Sequence, residues 1–316
     1  MELIYADANL VPLGILKDFA MEHEISTKTE KNTFEIKIGK YSEDITWVYS
    51  NGTEYGGRIN KICPDTSSDI TKYSGTTWLG LLETKIIVPV EDYVILTGTF
   101  HEIIEIVITM CGLSKCFTVS KKDTPYITHR FNRYVDALSG IRGMLAQYDY
   151  KMSLVVNNGI CELEAVPISY INDTREISSD LFDFKITKQR YSCNHLIALG
   201  SGKLSDRMVI HKYVQKDGSI GDEQYYFDLD EVVETLDYPN VESEEELEKK
   251  AVEELKKKSS EDGIKITAYD LNADVGDQIT ACNVKYGIKA TQYVVNKIVT
   301  INDNCIKNQY KVGNTL

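Results

Sequence analysis

Several common features are missing from this chain of 316 residues, and each absence removes a class of function. No apolar run approaches the ~20 residues needed to cross a bilayer, and the start, Met1-Glu2-Leu3-Ile4-Tyr5-Ala6-Asp7, lacks the basic and apolar stretches of a signal peptide. Synthesis in the cytoplasm, with neither signal peptide nor membrane segment, is therefore expected. The seven cysteines, at 63, 111, 116, 161, 193, 282 and 305, contain no Cys-x-x-Cys pair. Reduced thiols fit this odd number better than a disulfide framework, and a chain of this length buries enough apolar surface to need no staples. No basic stripe with interleaved aromatics occurs, so the counterion-release footprint of a nucleic-acid binder is missing and no nucleic-acid partner is expected. No internal repeat is visible.

The charge that is present is unevenly placed. Residues 222–262 hold sixteen Asp or Glu against five Lys, a balance of −11 out of a net −13. One segment makes the protein acidic.

Residues 1–96 read as an all-β domain, small and barrel-like, because short β-rich runs recur between turn signals. Asn51-Gly52 is a hairpin signal, since both residues of such a turn take positive φ. A two-residue loop there sets Trp47 opposite Gly56. The pair Gly56-Gly57 suggests a bulge or a close backbone approach. Trp47 and Trp78, beside small residues, are expected in the core of this domain. Residues 97–178 read as an α/β module. Thr99-x-x-Glu102 is a capping box followed by Phe100, Ile103, Ile104, Val107 and Cys111 at helical spacing, and Gly112 ends that helix. A short strand at 117–119 follows, then a helix capped by Asn132 with Val135, Leu138, Ile141 and Leu145 inward, then a hairpin turning at Asn157-Asn158-Gly159. Residues 179–316 read as a second barrel-like β domain, with strands at 195–199, 208–214 and 224–227. Into it is inserted an acidic helix, 242–258, begun by Ser243-x-x-Glu246 and docked by Leu247, Ala251 and Leu255. Three apolar positions in four turns suggest a surface helix dispensable for folding. The fold class is mainly β with α+β: two small β domains flanking an α/β module.

The stretch Tyr55-Gly56-Gly57 through Tyr73-Ser74-Gly75-Thr76-Thr77-Trp78-Leu79-Gly80-Leu81-Leu82 to Lys85-Ile86-Ile87 resembles the signature of phage baseplate hub proteins. So do Arg130-Phe131-Asn132-Arg133-Tyr134, the run from Asn194-His195 to Lys203-Leu204, Arg207 to His211, and Asp274-Val275-Gly276-Asp277. The relatives are hubs of contractile tails, PBSX-type prophages and phage-tail-like bacteriocins. The resemblance implies a structural protein of the virion or tail-like particle, made in the bacterial cytoplasm, that joins the six-fold tail tube to the three-fold spike and lines the channel. It implies two tube-like β domains per chain, a homotrimer in the particle, and the tube, spike, tape-measure and other baseplate proteins as partners. A tail-associated peptidoglycan hydrolase or a carbohydrate-binding tail tip is the alternative from another class.

An enzyme would need a constellation of chemistry-bearing residues, and each candidate has a simpler reading. Cys193, His195 and His211 lack metal-ligand spacing and read as packing residues. Cys111 and Cys116 read as core thiols. Gly200-Ser201-Gly202 lacks the third glycine and the helix of a phosphate-binding loop and reads as a turn. Asn51-Gly52-Thr53 matches a glycosylation sequon, already explained by the hairpin. The pairs Glu102 with Glu105 and Glu231 with Glu234 lie on solvated faces with nothing to separate their pKa values. No catalytic, cofactor-binding or metal residue is assigned, and no enzyme activity is expected. The twenty tyrosines are spread along strands rather than gathered in a sugar platform.

Overall fold

The computed structural model describes residues 1–28, 31–39, 41–65, 67–90, 92–172, 182–187, 192–241, 243–259, 263–269, 272–283, 288–302 and 305–313. In chain order the strands are β1 (Leu3–Ala6), β2 (Pro12–Leu16), β3 (Ala20–Ser26), β4 (Thr33–Ile38), β5 (Trp47–Tyr49), β6 (Gly56–Asp65), β7 (Ile70–Thr77), β8 (Ile95–Thr99), β9 (Phe117–Val119), β10 (Tyr126–Arg130), β11 (Tyr150–Asn157), β12 (Ile160–Pro167), β13 (Tyr170–Asn172) and β14 (Phe182–Thr187). They continue as β15 (His195–Leu199), β16 (Val209–Val214), β17 (Ile220–Gly221), β18 (Val233–Asp237), β19 (Gly263–Tyr269), β20 (Gln278–Asn283), β21 (Ile288–Asn302) and β22 (Cys305–Gly313). The helices are α1 (Trp78–Glu83), α2 (Phe100–Met110), α3 (Ala137–Ala146) and α4 (Glu244–Ser259). The protein is mostly β with few helices, as its strand-rich sequence implies.

Two units result, and neither boundary falls at 96 or at 178 to 179. Residues 1–183 and 266–316 form the first; residues 184–265 form the second. In the first unit the N-terminal and C-terminal β regions share one curled sheet, in the order β22-β21-β3-β4-β7-β6-β5-β1-β2. The joint is antiparallel pairing of β3 with β21, from Ser26 opposite Asn296 to Ala20 opposite Asn302. The expected α/β module has no core of its own either. Trp47, Tyr49 and Trp78 pack in one apolar cluster with Phe100, Ile103 and Ile104 of α2, Leu138 and Ile141 of α3, and Leu154 and Leu163 of the β11–β12 hairpin. A module that buries its apolar face against the sheet cannot be a separate domain.

The two tryptophans are buried, as their small neighbours predict, at 7 % exposure for Trp47 and 0 % for Trp78. Their rings stack at 5.3 Å and 19°, with Phe117 edge-on to Trp78. Trp78 opens α1 rather than lying in a strand or turn, because the Thr77 hydroxyl accepts from Gly80 N and caps it. The hairpin before it is longer than two residues. Tyr49 faces Gly56, and Trp47 faces Arg58. The reason lies in Thr53, whose hydroxyl donates to Ser50 O and accepts from Tyr55 N, rounding the loop. That loop then docks on another: Gly52 N donates to Val156 O, Val156 N to Thr53 O, and Asn158 N to Asn51 Oδ1. Gly56 does mark a close approach, since at φ +116 a Cβ would sit 2.1 Å from Val48 O.

The capping box of α2 forms on both sides, and Gly112 closes the helix in a Schellman motif, with Leu113 N on Ile108 O and Gly112 N on Thr109 O. In α3 the cap is Asp136, which accepts from Ser139 N at 2.8 Å, and not Asn132. Val135 stays outside that helix because its carbonyl accepts from Ile87 N.

The second unit is a four-stranded sheet, β17-β16-β15-β18, covered on one face by α4. Residues 224–227 are not a strand; β18 takes that place beside β15, in parallel. Leu247, Ala251 and Leu255, all 0 % exposed, pack on Leu196 and Ala198. The helix is therefore half of a two-layer core, and not a dispensable insertion on a barrel. Its first turn is acidic and its last is Lys256-Lys257-Lys258, matching the helix dipole.

Candidate functional site

The motif Asp274-Val275-Gly276-Asp277 forms a tight turn before β20 and anchors a buried ion cluster in the first unit. Asp277 accepts from Ser169 N at 2.8 Å through one carboxylate oxygen, and through the other from Asp274 N at 2.8 Å and Lys151 Nζ at 2.7 Å. Lys297, on β21, reaches Asp274 at 2.8 Å and Glu54 at 2.6 Å. Gly276 is required: at φ +102, a Cβ there would press to 3.0 Å on Lys151. Burial pushes the Glu54 carboxyl above the usual range, against the pull of Lys297. For Asp274 burial also works upward, but Lys297 and Lys151 outweigh it and hold the group below its ordinary value. Burial works to lower Lys297, and its two carboxylates outweigh that and raise it. The cluster ties the loop at 51–54, strand β11 and strand β21 together. A cleft of about 290 Å³ lies beside it, lined in part by Glu54, Arg142, Asp274 and Lys297.

The sequence-level candidates are placed as follows. Burial raises the Cys111, Cys116 and Cys193 thiols and holds Cys161 well above its ordinary value, the reverse of what a nucleophile needs. Glu102 serves the α2 cap, and Glu105 pairs with Lys121 at 3.2 Å. Glu234 pairs with Lys258. Gly200-Ser201-Gly202 turns into the short 3-10 segment Leu204–Asp206, with Gly202 at φ +107, so no helix N-terminus follows it. His195 and His211 come together: His195 Nε2 lies 2.9 Å from His211 Nδ1, and His195 Nδ1 lies 2.7 Å from Glu231 Oε1. Cys193 stands apart from this row, its thiol donating to the His195 carbonyl at 3.4 Å inside the core under α4. Among the described residues no group of three His, Cys, Asp or Glu side chains is arranged to hold a metal.

Sequence reasoning missed Lys151, Lys297 and Glu54 as one cluster, and Glu231 and Tyr213 as neighbours of His195. One signal was legible for the first: a lysine amid Val294, Ile298 and Val299 in a strand demands a buried partner.

No protein-family model matches the sequence, and no curated protein matches it. Solved structures do. The tail protein from Neisseria meningitidis is 12 % identical, with 98 % of this chain and 95 % of that one covered and a TM-score of 0.52. The 43 kDa tail protein of prophage MuSo2 from Shewanella oneidensis is 11 % identical, with 99 % and 98 % covered and a TM-score of 0.55. The prophage tail protein gp18 from Listeria monocytogenes is 13 % identical, with 100 % and 95 % covered and a TM-score of 0.50. Over nearly its whole length the chain has the fold of these phage tail proteins.

Proposed function

We propose that the protein is a structural component of a phage tail or phage-tail-like particle, namely the baseplate hub that joins the six-fold tail tube to the three-fold spike. The observation that carries this reading is the joint between β3 and β21. It sets two β regions, from opposite ends of the chain, edge to edge in one sheet. Three such chains offer six β regions around a channel, which answers the mismatch between a six-fold tube and a three-fold spike. The full-length likeness to phage tail proteins supports the same role.

The other edge of the sheet fits ring closure. Strand β2 is terminal in the strand order, and Val11, Leu13 and Ile15 stand on and beside it at 54 %, 45 % and 49 % exposure. Strand β2 opens on Pro12, a residue that guards free edges, yet Val11, Leu13 and Ile15 leave an exposed apolar row on it, and such a row invites pairing. In the ring this edge is covered by a neighbouring copy. The tube, spike and tape-measure proteins are the remaining partners, and the particle baseplate is the location. Electron-microscopic imaging of assembled tails carrying a tagged copy tests the reading by locating the tag: the tube-to-baseplate junction supports it, and the tail fibres refute it.

A further inference from the structure

Strand β11 is terminal in the three-stranded sheet β11-β12-β9, so one of its edges is not taken by a strand of that sheet. Its register with β12 runs without a shift from Tyr150 opposite Pro167 to Asn157 opposite Ile160, and main-chain groups alternate between the two edges. Val156 fixes which groups face the free edge: its N–H donates to Thr53 O and its carbonyl accepts from Gly52 N. By alternation Leu154 and Met152 present theirs to the same edge, where no main chain among the described residues meets them. The loop at 51–54 leaves this edge after Thr53, because Tyr55 O accepts from Ser50 N and Glu54 turns to Lys297. The space it leaves is the cleft of about 290 Å³, which borders a second of about 190 Å³ through Arg142, Met152 and Val275. We propose that this edge receives an extended peptide segment of a partner protein, added to β11 as a further strand, with an acidic side chain of the segment on Arg142.

The main chain selects an extended peptide. Leu154 and Met152 are buried, and shielded N–H and C=O groups left without partners are costly. An added strand supplies a donor and an acceptor at every second residue, which neither an apolar ligand nor a bare anion does. At a rise of ~3.4 Å per residue, about five residues fill the edge from the Thr53 bridge to Lys151. The charges select an acidic side chain. Glu54 and Asp274 on the cleft wall each bond Lys297, and Asp274 also lies 3.4 Å from Lys151. Arg142 donates to Ser26 O at 2.7 Å and, among the described residues, pairs with no carboxylate. Its acidic neighbours are already engaged, Asp136 with Ser139 N and Glu83 with Asn32 Nδ2. Burial lowers the guanidinium to about 10, which leaves it charged at neutral pH. Its planar fork suits a carboxylate. Arg142 belongs to α3, which packs with Met152 and Leu154 in one cluster, so it meets a side chain of the added strand that points inward. The next residue of that strand points outward, beside the exposed Val155. Such a site is independent of the hub role.

The test is capture, by the full chain, of end-blocked hexapeptides randomised among Val, Ile, Thr, Ser, Glu and Lys, with the captured set read by mass spectrometry. Glu rather than Lys is expected at one fixed position. In the best peptide, titrated by fluorescence anisotropy, exchanging that Glu for Gln should weaken binding about 10- to 100-fold. Arg142→Gln in the protein should do the same, and the two changes together should cost little more than either alone. N-methylation of the peptide amides that face β11 should abolish binding. In nuclear magnetic resonance the Leu154 and Met152 amides should exchange faster than those of Ser153 and Val155 in the free chain, and become protected in the complex. The peptide changes and the exchange rates use the wild-type chain, so they decide even where Arg142→Gln fails to fold. Capture of no peptide, capture without a preference for Glu, binding that survives N-methylation, or Leu154 and Met152 amides unchanged in the complex overturns the proposal.

Discussion

Trp78→Ala removes a ring with 0 % exposure, stacked on Trp47 and capped by Phe117, and is expected to cost about 3–5 kcal/mol, read as a lower urea midpoint. Lys151→Met should cost a similar ~3–5 kcal/mol, because it strands the buried Asp277 carboxylate with amide donors and no cation. The replacement of both Lys151 and Asp277 by apolar residues of similar volume should cost less than the single change. His23 sets a pH limit. Burial first, aided by Lys297, holds its pKa down to about 3, against about 6.5 in the unfolded chain. Between those values the unfolded chain binds a proton that the folded chain refuses. Stability is thus full above about pH 6.5 and falls as pH drops, by up to about 1.4 kcal/mol per unit. His23→Phe, which keeps an aromatic ring edge-on to Tyr55, should flatten that slope in denaturation curves taken across the window.

Helix α4 decides the second unit. Replacing it by a Gly-Ser loop should expose Leu196 and Ala198, so amides of β15 and β16 lose protection from hydrogen exchange while β3 and β21 keep theirs. Leu247→Ala alone should cost about 2–5 kcal/mol. The contrast between α4 and α2 marks how far the sequence can be read. The α2 boundaries were legible because Thr99, Glu102 and Gly112 act within one turn of the helix they limit. The β11–β12 turn was legible for the same reason, with Asn158 and Gly159 both at positive φ. The α3 start was not, since Asn132 and Asp136 are equally good caps, and the choice is made by a bond from Ile87 to the Val135 carbonyl. The loop at Asn51-Gly52 was misjudged because its length is set by Thr53 and by docking on the distant turn at 157–158. The apolar stripe of α4 was read correctly, but its importance depends on what lies beneath it, which no local pattern states. The pairing of residues 20–26 with 296–302 and the meeting of His195, His211 and Glu231 are likewise long-range facts.

At the scale of the whole molecule, the proposed hub role requires a ring closed by sheet edges. Leu13→Lys should leave the monomer folded, since Leu13 is 45 % exposed, yet prevent incorporation into particles by placing a charge on the edge that a neighbour covers in the proposed ring. Ring contacts that repeat until closure fail together, so the loss of incorporation should be abrupt. Purified protein can still be monomeric under this proposal, because a ring without tube and spike would lack the binding partners that stabilise it. The solution mass is therefore the weaker measurement, and the copy number in the particle is the stronger. Electron cryomicroscopy of the assembled tail at the tube-to-baseplate junction should show three copies of the chain, each placing its β3–β21 sheet along the lumen. Six copies at that level, or density for the chain only in the tail fibres, would contradict the account.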